Sequence, residues 1–252
     1  MYKVLWISTA PRTGSMWTYN VARKLLASVG FNVLPGDVPK LDEQSYQIFD
    51  QALADPYAAN RYCLKIHGFL AADLPRSKII TTLRDPRDVC VSYMNFMKCD
   101  FDVALAWVKR TITYHDTYKN YDPDYLYVVK YQEIINVPEE VAKNIALFLE
   151  LDLDDSAIQR AADAFAKEKV SGLINAKTRD LMEKISKGQK PDPKEMVDRG
   201  DGRYRAFDSS TGFQTGHISG NYDGSWRTSL SEKEKEVLSE FVGDFCQQNG
   251  FD

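Results

Sequence analysis

The chain has 252 residues, of which 44% are hydrophobic and 27% charged, and a formal net charge of −4. It is long enough to bury a substantial core and is composed like a soluble globular protein. The mild acidity argues against non-specific binding to nucleic acid or to an anionic membrane, and disfavours a polyanionic ligand such as a heparin-like chain.

The first apolar run, residues 4–7, has the pattern of a buried strand and is too short for a signal-peptide core. A polar turn follows at residues 10–15, then an amphipathic helix over about 16–29, stopped by Gly30. Further strands are expected at 62–66, 78–83 and 126–129. Between and after them, helices are expected from about 89 to 96, at 101–118 and at 139–149. Strands alternating with helices predict an α/β fold: a single domain over residues 1–252 with a central parallel sheet flanked by helices. Beyond Leu151, helices are expected at 156–168, 170–187 and 231–249, the last with Ser231 and Glu234 in a capping box. Residues 187–203 are rich in charge, Pro and Gly without an apolar period, and about 188–216 is read as an acceptor-covering or mobile loop. No window approaches the roughly 20 apolar residues of a membrane span. The four cysteines are read as reduced thiols of a cytoplasmic protein, and three histidines make a metal site improbable.

A strand that delivers a Gly-containing loop into a helix N-terminus is a ready anion site, because loop amides and the helix dipole both favour negative charge. Arg12 adds a bidentate donor, and Thr13 and Ser15 add hydroxyls. The G-x-x-x-x-G-K-[ST] pattern of nucleotide triphosphatases is absent, as are the three glycines of a dinucleotide fold. His67 ends an apolar strand, where open α/β sheets place ligands. Its imidazole titrates near the pH at which a general base works. The competing reading of that histidine is a purely structural hydrogen bond. Asp85, Arg87 and Asp88 are read as capping the next helix and fixing its loop, His115 as structural or at the acceptor pocket, and His217 as a loop residue that could line the site.

Five motifs then carry a family resemblance. Pro11-Arg12-Thr13-Gly14-Ser15-Met16-Trp17 resembles the 5′-phosphosulfate loop of sulfotransferases that use 3′-phosphoadenosine 5′-phosphosulfate (PAPS). Leu64-Lys65-Ile66-His67 looks like the segment carrying that family's catalytic base. Arg84-Asp85-Pro86-Arg87-Asp88, continuing to Ser92-Tyr93, is similar to its 3′-phosphate motif. Val128-Val129-Lys130-Tyr131-Gln132-Glu133 resembles its strand-then-Y-E-D-L element, and Gly224-Ser225-Trp226-Arg227 its late G-x-W-[KR] motif. The resemblance implies a P-loop-like fold and transfer of a sulfuryl group from PAPS to a hydroxyl or amine of a small molecule. The product would be 3′-phosphoadenosine 5′-phosphate (PAP), with no metal required.

It implies that Arg12 contacts the bridging region and 5′-phosphate, and that Thr13, Gly14, Ser15 and Met16 supply amides. Trp17 and Tyr131 would lie near adenine, with Trp226 and Arg227 also at the nucleotide. Lys65 would hold a sulfuryl oxygen, His67 take the acceptor proton, and Arg84 and Ser92 grip the 3′-phosphate. Two departures stand out. Arg12 occupies a position usually held by lysine, and Ser219-Gly220-Asn221 stands where the family has an R-K-G triplet, so Arg203, Arg205, Arg227 or loop amides must substitute. The alternatives are a small-molecule kinase, for which the lysine-serine end of the nucleotide loop is missing, and a non-catalytic nucleotide-binding protein, for which a Lys65-x-His67 pair is unnecessary.

Overall fold

The computed structural model describes residues 2–71, 73–198, 204–218 and 223–251. Its centre is a sheet of β1 (Val4–Ser8), β2 (Asn32–Leu34), β3 (Asn60–Ile66), β4 (Ser77–Leu83) and β5 (Leu126–Lys130). The strands run in the order β2-β3-β1-β4-β5, and every pairing is parallel. Successive side chains of a strand face opposite ways, so Leu5 and Ile7 enter one core and Val4 and Trp6 the other. The first core is closed by α1 (Ser15–Ser28), through Val21, Leu25 and Leu26, and by α6 (Pro138–Phe148), through Val141 and Ile145. The second is closed by α2 (Asp42–Ala54), through Ala52, and by α4 (Phe101–Tyr118), through Tyr114 and Tyr118. A sheet buried on both faces needs near-continuous apolar strands, which is what the sequence shows at β1, β3 and β4.

A third core joins α3 (Pro86–Met97) and α4 to α10 (Glu232–Asn249) through Cys90, Val108, Leu238 and Val242. The expected capping box is present: the Ser231 hydroxyl accepts from Glu234 N at 3.4 Å, and the Glu234 carboxylate accepts from Ser231 N at 2.8 Å. The short α5 (Tyr131–Asn136) follows β5 directly.

Three parts differ from expectation. The segment between α1 and β3 holds both β2 and α2. The second buries only Ser45 and Ala52 fully, and its Ile48 and Phe49 pack partly exposed against the second core. The helices expected at 156–168 and 170–187 are α7 (Asp155–Asp163) and α8 (Lys167–Ser186). The break falls at 164–166, where the chain turns to pack Phe165 between two apolar clusters. The charge-rich stretch after α8 contains a 3-10 turn (Pro193–Glu195) and β6 (Met196–Asp198), which pairs antiparallel with β7 (Tyr204–Ala206). This hairpin is tied down: Lys40 Nζ donates to the carbonyls of Pro193 and, at 2.6 Å, Met196, and Lys184 pairs with Glu195 at 2.8 Å. The last helix to be named, α9 (Trp226–Ser229), is a single turn. Among the described residues no helix is long and apolar enough to cross a membrane.

Candidate active site

The C-terminal ends of β1, β3, β4 and β5 lie side by side, and at β1 the winding reverses: β3 and β2 lie on one side of it, β4 and β5 on the other. Ligands of open α/β sheets bind at such a switch point. The loop between β1 and α1 sits there. Its Gly14 has φ 101°, and a Cβ at this position would lie 2.8 Å from Ile134 Cδ1 and 3.1 Å from Tyr131 Cδ2, so the turn demands glycine. The first helical bond of α1 runs from Thr18 N to Gly14 O at 3.2 Å. The amides of Ser15, Met16 and Trp17 therefore open toward the loop, and the first turn carries no acidic residue to neutralise them.

One face of α3 organises the surrounding cations. Asp88, Ser92 and Phe96 stand four residues apart and so share that face. Arg12 Nε donates to Ser92 Oγ at 3.0 Å, and the Arg12 guanidinium stacks 4.3 Å from the Phe96 ring centroid. Arg205, from β7, stacks on the same ring at 3.8 Å and donates to the Phe96 carbonyl. Arg84, at the end of β4, donates from Nη1 to Arg12 O at 3.1 Å and lies 4.1 Å over the Tyr131 ring. Its Nε and Nη2 are buried and have no hydrogen-bond partner among the described residues. Buried guanidinium donors are rarely left unpaired, and these two are suited to a tetrahedral anion.

Beside this cluster, β3 presents Lys65 and His67. Thr9 O, which can only accept, lies 2.9 Å from His67 Nδ1, so the proton sits on Nδ1 and the Nε2 lone pair is available. Lys65 Nζ donates to that lone pair at 2.9 Å. Asp42, the first residue of α2, accepts from the His67 backbone N–H at 2.8 Å and fixes the turn that carries the ring. Burial, and then the nearby Lys65 charge, pulls the His67 imidazole down to about 3. Burial likewise lowers Lys65 to about 8, against a raising influence from Asp42. Arg12 is lowered to about 10 by burial and by Arg84 and Arg205 alongside it.

Residues 39–155, which contain the Lys65–His67 pair and the whole of α3, match the sequence pattern of the Sulfotransferase family. Two solved structures are similar over the whole fold. Retinol dehydratase, in complex with androsterone and the inactive cofactor PAP, has 15% identity and a TM-score of 0.60, covering 97% of this chain and 80% of that one. Mouse sulfotransferase SULT7A1, complexed with PAP, has 15% identity and a TM-score of 0.60, covering 97% of this chain and 84% of that one. At that identity the likeness is one of fold. No curated protein sequence matches the chain.

Within this sulfotransferase fold the residues anticipated from sequence are distributed unevenly. Arg12, Gly14, Ser15, Arg84, Ser92, Tyr131, Lys65 and His67 converge as described. The Thr13 side chain is fully buried and its hydroxyl donates to Ala10 O at 2.7 Å, within the loop. Met16 and Trp17 are half-buried against the core beside α1, and Met16 Cε lies 2.7 Å from where a Gly212 Cβ would stand.

The late motif is held by Asp88, which accepts from Gly224 N at 2.7 Å, Ser225 Oγ at 3.0 Å and Trp226 N at 3.2 Å. Trp226 is flanked by the guanidinium groups of Arg87, at 4.4 Å, and Arg227, at 4.6 Å. Asp85 caps α3 by accepting from Arg87 N at 2.8 Å and also pairs with the Arg87 side chain at 2.8 Å, in keeping with the structural roles expected of these charges. His115 packs edge-on against Phe245. Of the candidates to replace the missing late arginine, Arg203 and the 219–221 segment fall outside the described residues, Arg227 lies at Trp226, and Arg205 lies at Phe96. Sequence reasoning missed Asp42, whose only signal would have been an acidic residue opening an unrecognised helix.

Proposed function

We propose that the chain transfers a sulfuryl group from PAPS to a hydroxyl or amine of a small-molecule acceptor, with His67 as general base. The observation that carries this reading is the His67 ring, locked with its Nε2 lone pair toward Lys65 and adjoining an anion loop. The donor's chemistry fits the residues present. Phosphosulfate oxygens match the α1 amides, Arg12 and Lys65. A 3′-phosphate matches Ser92 and the two unpartnered nitrogens of Arg84. That the similar solved proteins are complexed with PAP supports the same donor. Four free thiols, three of them buried, fit a cytoplasmic setting.

In this reading the acceptor oxygen attacks sulfur in line, and the bond from sulfur to the bridging oxygen breaks with its electron pair going to the nucleotide phosphate. The acceptor proton passes to His67 Nε2. In the ligand-free geometry Lys65 occupies that lone pair; a sulfuryl oxygen draws Lys65 away and exposes the base. The same anion offsets the cationic charges that depress His67, so the base strengthens as the donor arrives.

Calorimetric titration with PAP and with ATP–Mg, followed by a mass-shift screen of phenols, alcohols and amines incubated with PAPS, tests the reading. PAP should bind and ATP–Mg should not, and His67→Ala should keep PAP affinity while losing about 10²- to 10⁴-fold in turnover. Tight ATP binding without PAP binding would mean a kinase, and full turnover in His67→Ala would remove the imidazole from the mechanism.

A further inference from the structure

A second imidazole stands at the same site. His217 follows β7 in the turn after Gln214, and its Nδ1 accepts from the Gln214 backbone N–H at 3.3 Å. An acceptor Nδ1 places the proton of the neutral ring on Nε2. The ring stacks on Phe96 with centroids 5.4 Å apart and planes at 30°, and its edge meets Phe213 at 6.2 Å. Phe96 is the residue on which Arg12 and Arg205 also stack. The backbone on either side of this position is held as well: Arg12 Nη2 donates to His217 O at 3.3 Å and to Gly216 O at 3.5 Å. Gly216 has φ 87°, and a Cβ there would meet the Phe96 ring at 3.5 Å, so the turn is seated closely on α3.

We propose that His217 is a substrate-contacting residue of the transfer reaction, donating its Nε2–H to an oxygen of the sulfuryl group while His67 takes the acceptor proton. The inference rests on the sulfuryl-transfer reading above and assigns it a group outside the five motifs. Three observations carry it. The tautomer is fixed by the turn's own amide, the ring is clamped between two aromatic side chains, and the residue is bound to the Arg12 of the anion loop. Burial, followed by the charges of Arg12 and Lys65 and by His67, depresses the ring well below the usual imidazole range. It therefore stays neutral, and with Nδ1 engaged by the Gln214 amide and the proton on Nε2 it has no free lone pair to take the acceptor proton in place of His67.

In the reaction the acceptor oxygen forms its bond to sulfur, the bridging oxygen leaves with the S–O electron pair, and the acceptor proton goes to His67. His217 keeps its own proton throughout. Its contribution is a preorganised donor for charge that builds on the sulfuryl oxygens, and loss of one such donor typically costs about 10²- to 10³-fold in rate.

PAPS and PAP differ by the sulfuryl group alone, which makes the proposal testable without a known acceptor. His217→Phe keeps the stack on Phe96 but removes the donor, and His217→Gln restores an N–H at the distance of Nε2. Affinities for PAP and PAPS by calorimetry, together with the rate of PAPS turnover to water and to the best acceptor found, are measured for each. In His217→Phe, PAP affinity should stay within about twofold, PAPS should lose affinity relative to PAP, and turnover should fall about 10²-fold. His217→Gln should recover most of the loss. In ¹⁵N-histidine spectra of the wild type, the His217 Nε2–H signal should move between the PAP and PAPS complexes. Wild-type turnover in His217→Phe, or an equal loss of PAP and PAPS affinity, would overturn the proposal. Failure of the wild type to bind PAP would instead overturn the donor assignment itself.

Discussion

At the scale of single residues the site is a cluster of the cations Arg12, Lys65, Arg84 and Arg205, and its pH behaviour follows. The proposed reaction needs His67 neutral and Lys65 protonated in the free protein. His67, buried and next to Lys65, is held at about 3, so kcat/KM should show no acid limb near the ordinary imidazole value. Lys65, lowered by burial to about 8, should impose a basic limb, with kcat/KM falling as pH rises through that value. Lys65→Met removes both the basic limb and a charge that depresses His67, so in that variant an acid limb should move upward into the measurable range. An unchanged profile in Lys65→Met would separate the two groups. Arg84 makes a different prediction. Its Nε and Nη2 are buried without partners, and hydrogen bonds to charged groups contribute about 1.5–3 kcal/mol each. Arg84→Gln should weaken PAP at least tenfold while leaving adenosine 5′-phosphosulfate, which lacks the 3′-phosphate, nearly unaffected. Equal weakening of both would place Arg84 away from the 3′-phosphate.

At the scale of elements, α3 is the organiser, because its Asp88, Ser92 and Phe96 reach the late loop, Arg12 and the Arg205–His217 segment respectively. Asp88 is fully buried and receives three donors on two carboxylate oxygens. Asp88→Asn leaves one oxygen and sets an NH₂ against at least one buried donor, at a cost of about 1–3 kcal/mol. Urea unfolding should register that loss, and PAP affinity should fall because residues 224–227 are no longer held against α3. An Asp88→Asn protein as stable and as tight for PAP as the wild type would end this account of α3.

The same elements show what a sequence can disclose. The strands β1, β3, β4 and β5 were legible because burial on both faces requires continuous apolar runs, and the Gly14 loop because its turn requires glycine. The helix α2 was not read, although Ile48, Phe49 and Ala52 form a short stripe against the second core, because that stripe is interrupted by polar residues and is only partly buried. The hairpin of β6 and β7 was hidden because three-residue strands within a charged stretch give no period. The roles of Asp42 and Thr13 depend on contacts made across the fold, to the His67 amide and to the Thr82 hydroxyl, which no local pattern encodes.

At the scale of the whole molecule, a chain of net charge −4 concentrates Arg12, Lys65, Arg84 and Arg205 at one edge of its sheet. The groups come from segments far apart in sequence: the β1–α1 loop, β3, the β4–α3 junction and β7. Bringing like charges together works against folding, and an anion bound among them reverses that effect while linking the first strand to the last third of the chain. Ligand present at about 100 times its Kd stabilises the folded state by about 2.7 kcal/mol. For a protein of this length that corresponds to a rise in Tm of roughly 5–10 °C. PAP should produce such a rise at low ionic strength, and ATP–Mg should not. Raising the salt concentration should shrink the shift, because the more exposed part of the attraction is screened. Hydrogen exchange read in the same titration should slow at the Arg12 loop and at residues 204–218 together, since Arg12 is bonded to the carbonyls of Gly216 and His217. Protection confined to the Arg12 loop would show that the late segment does not close on the nucleotide.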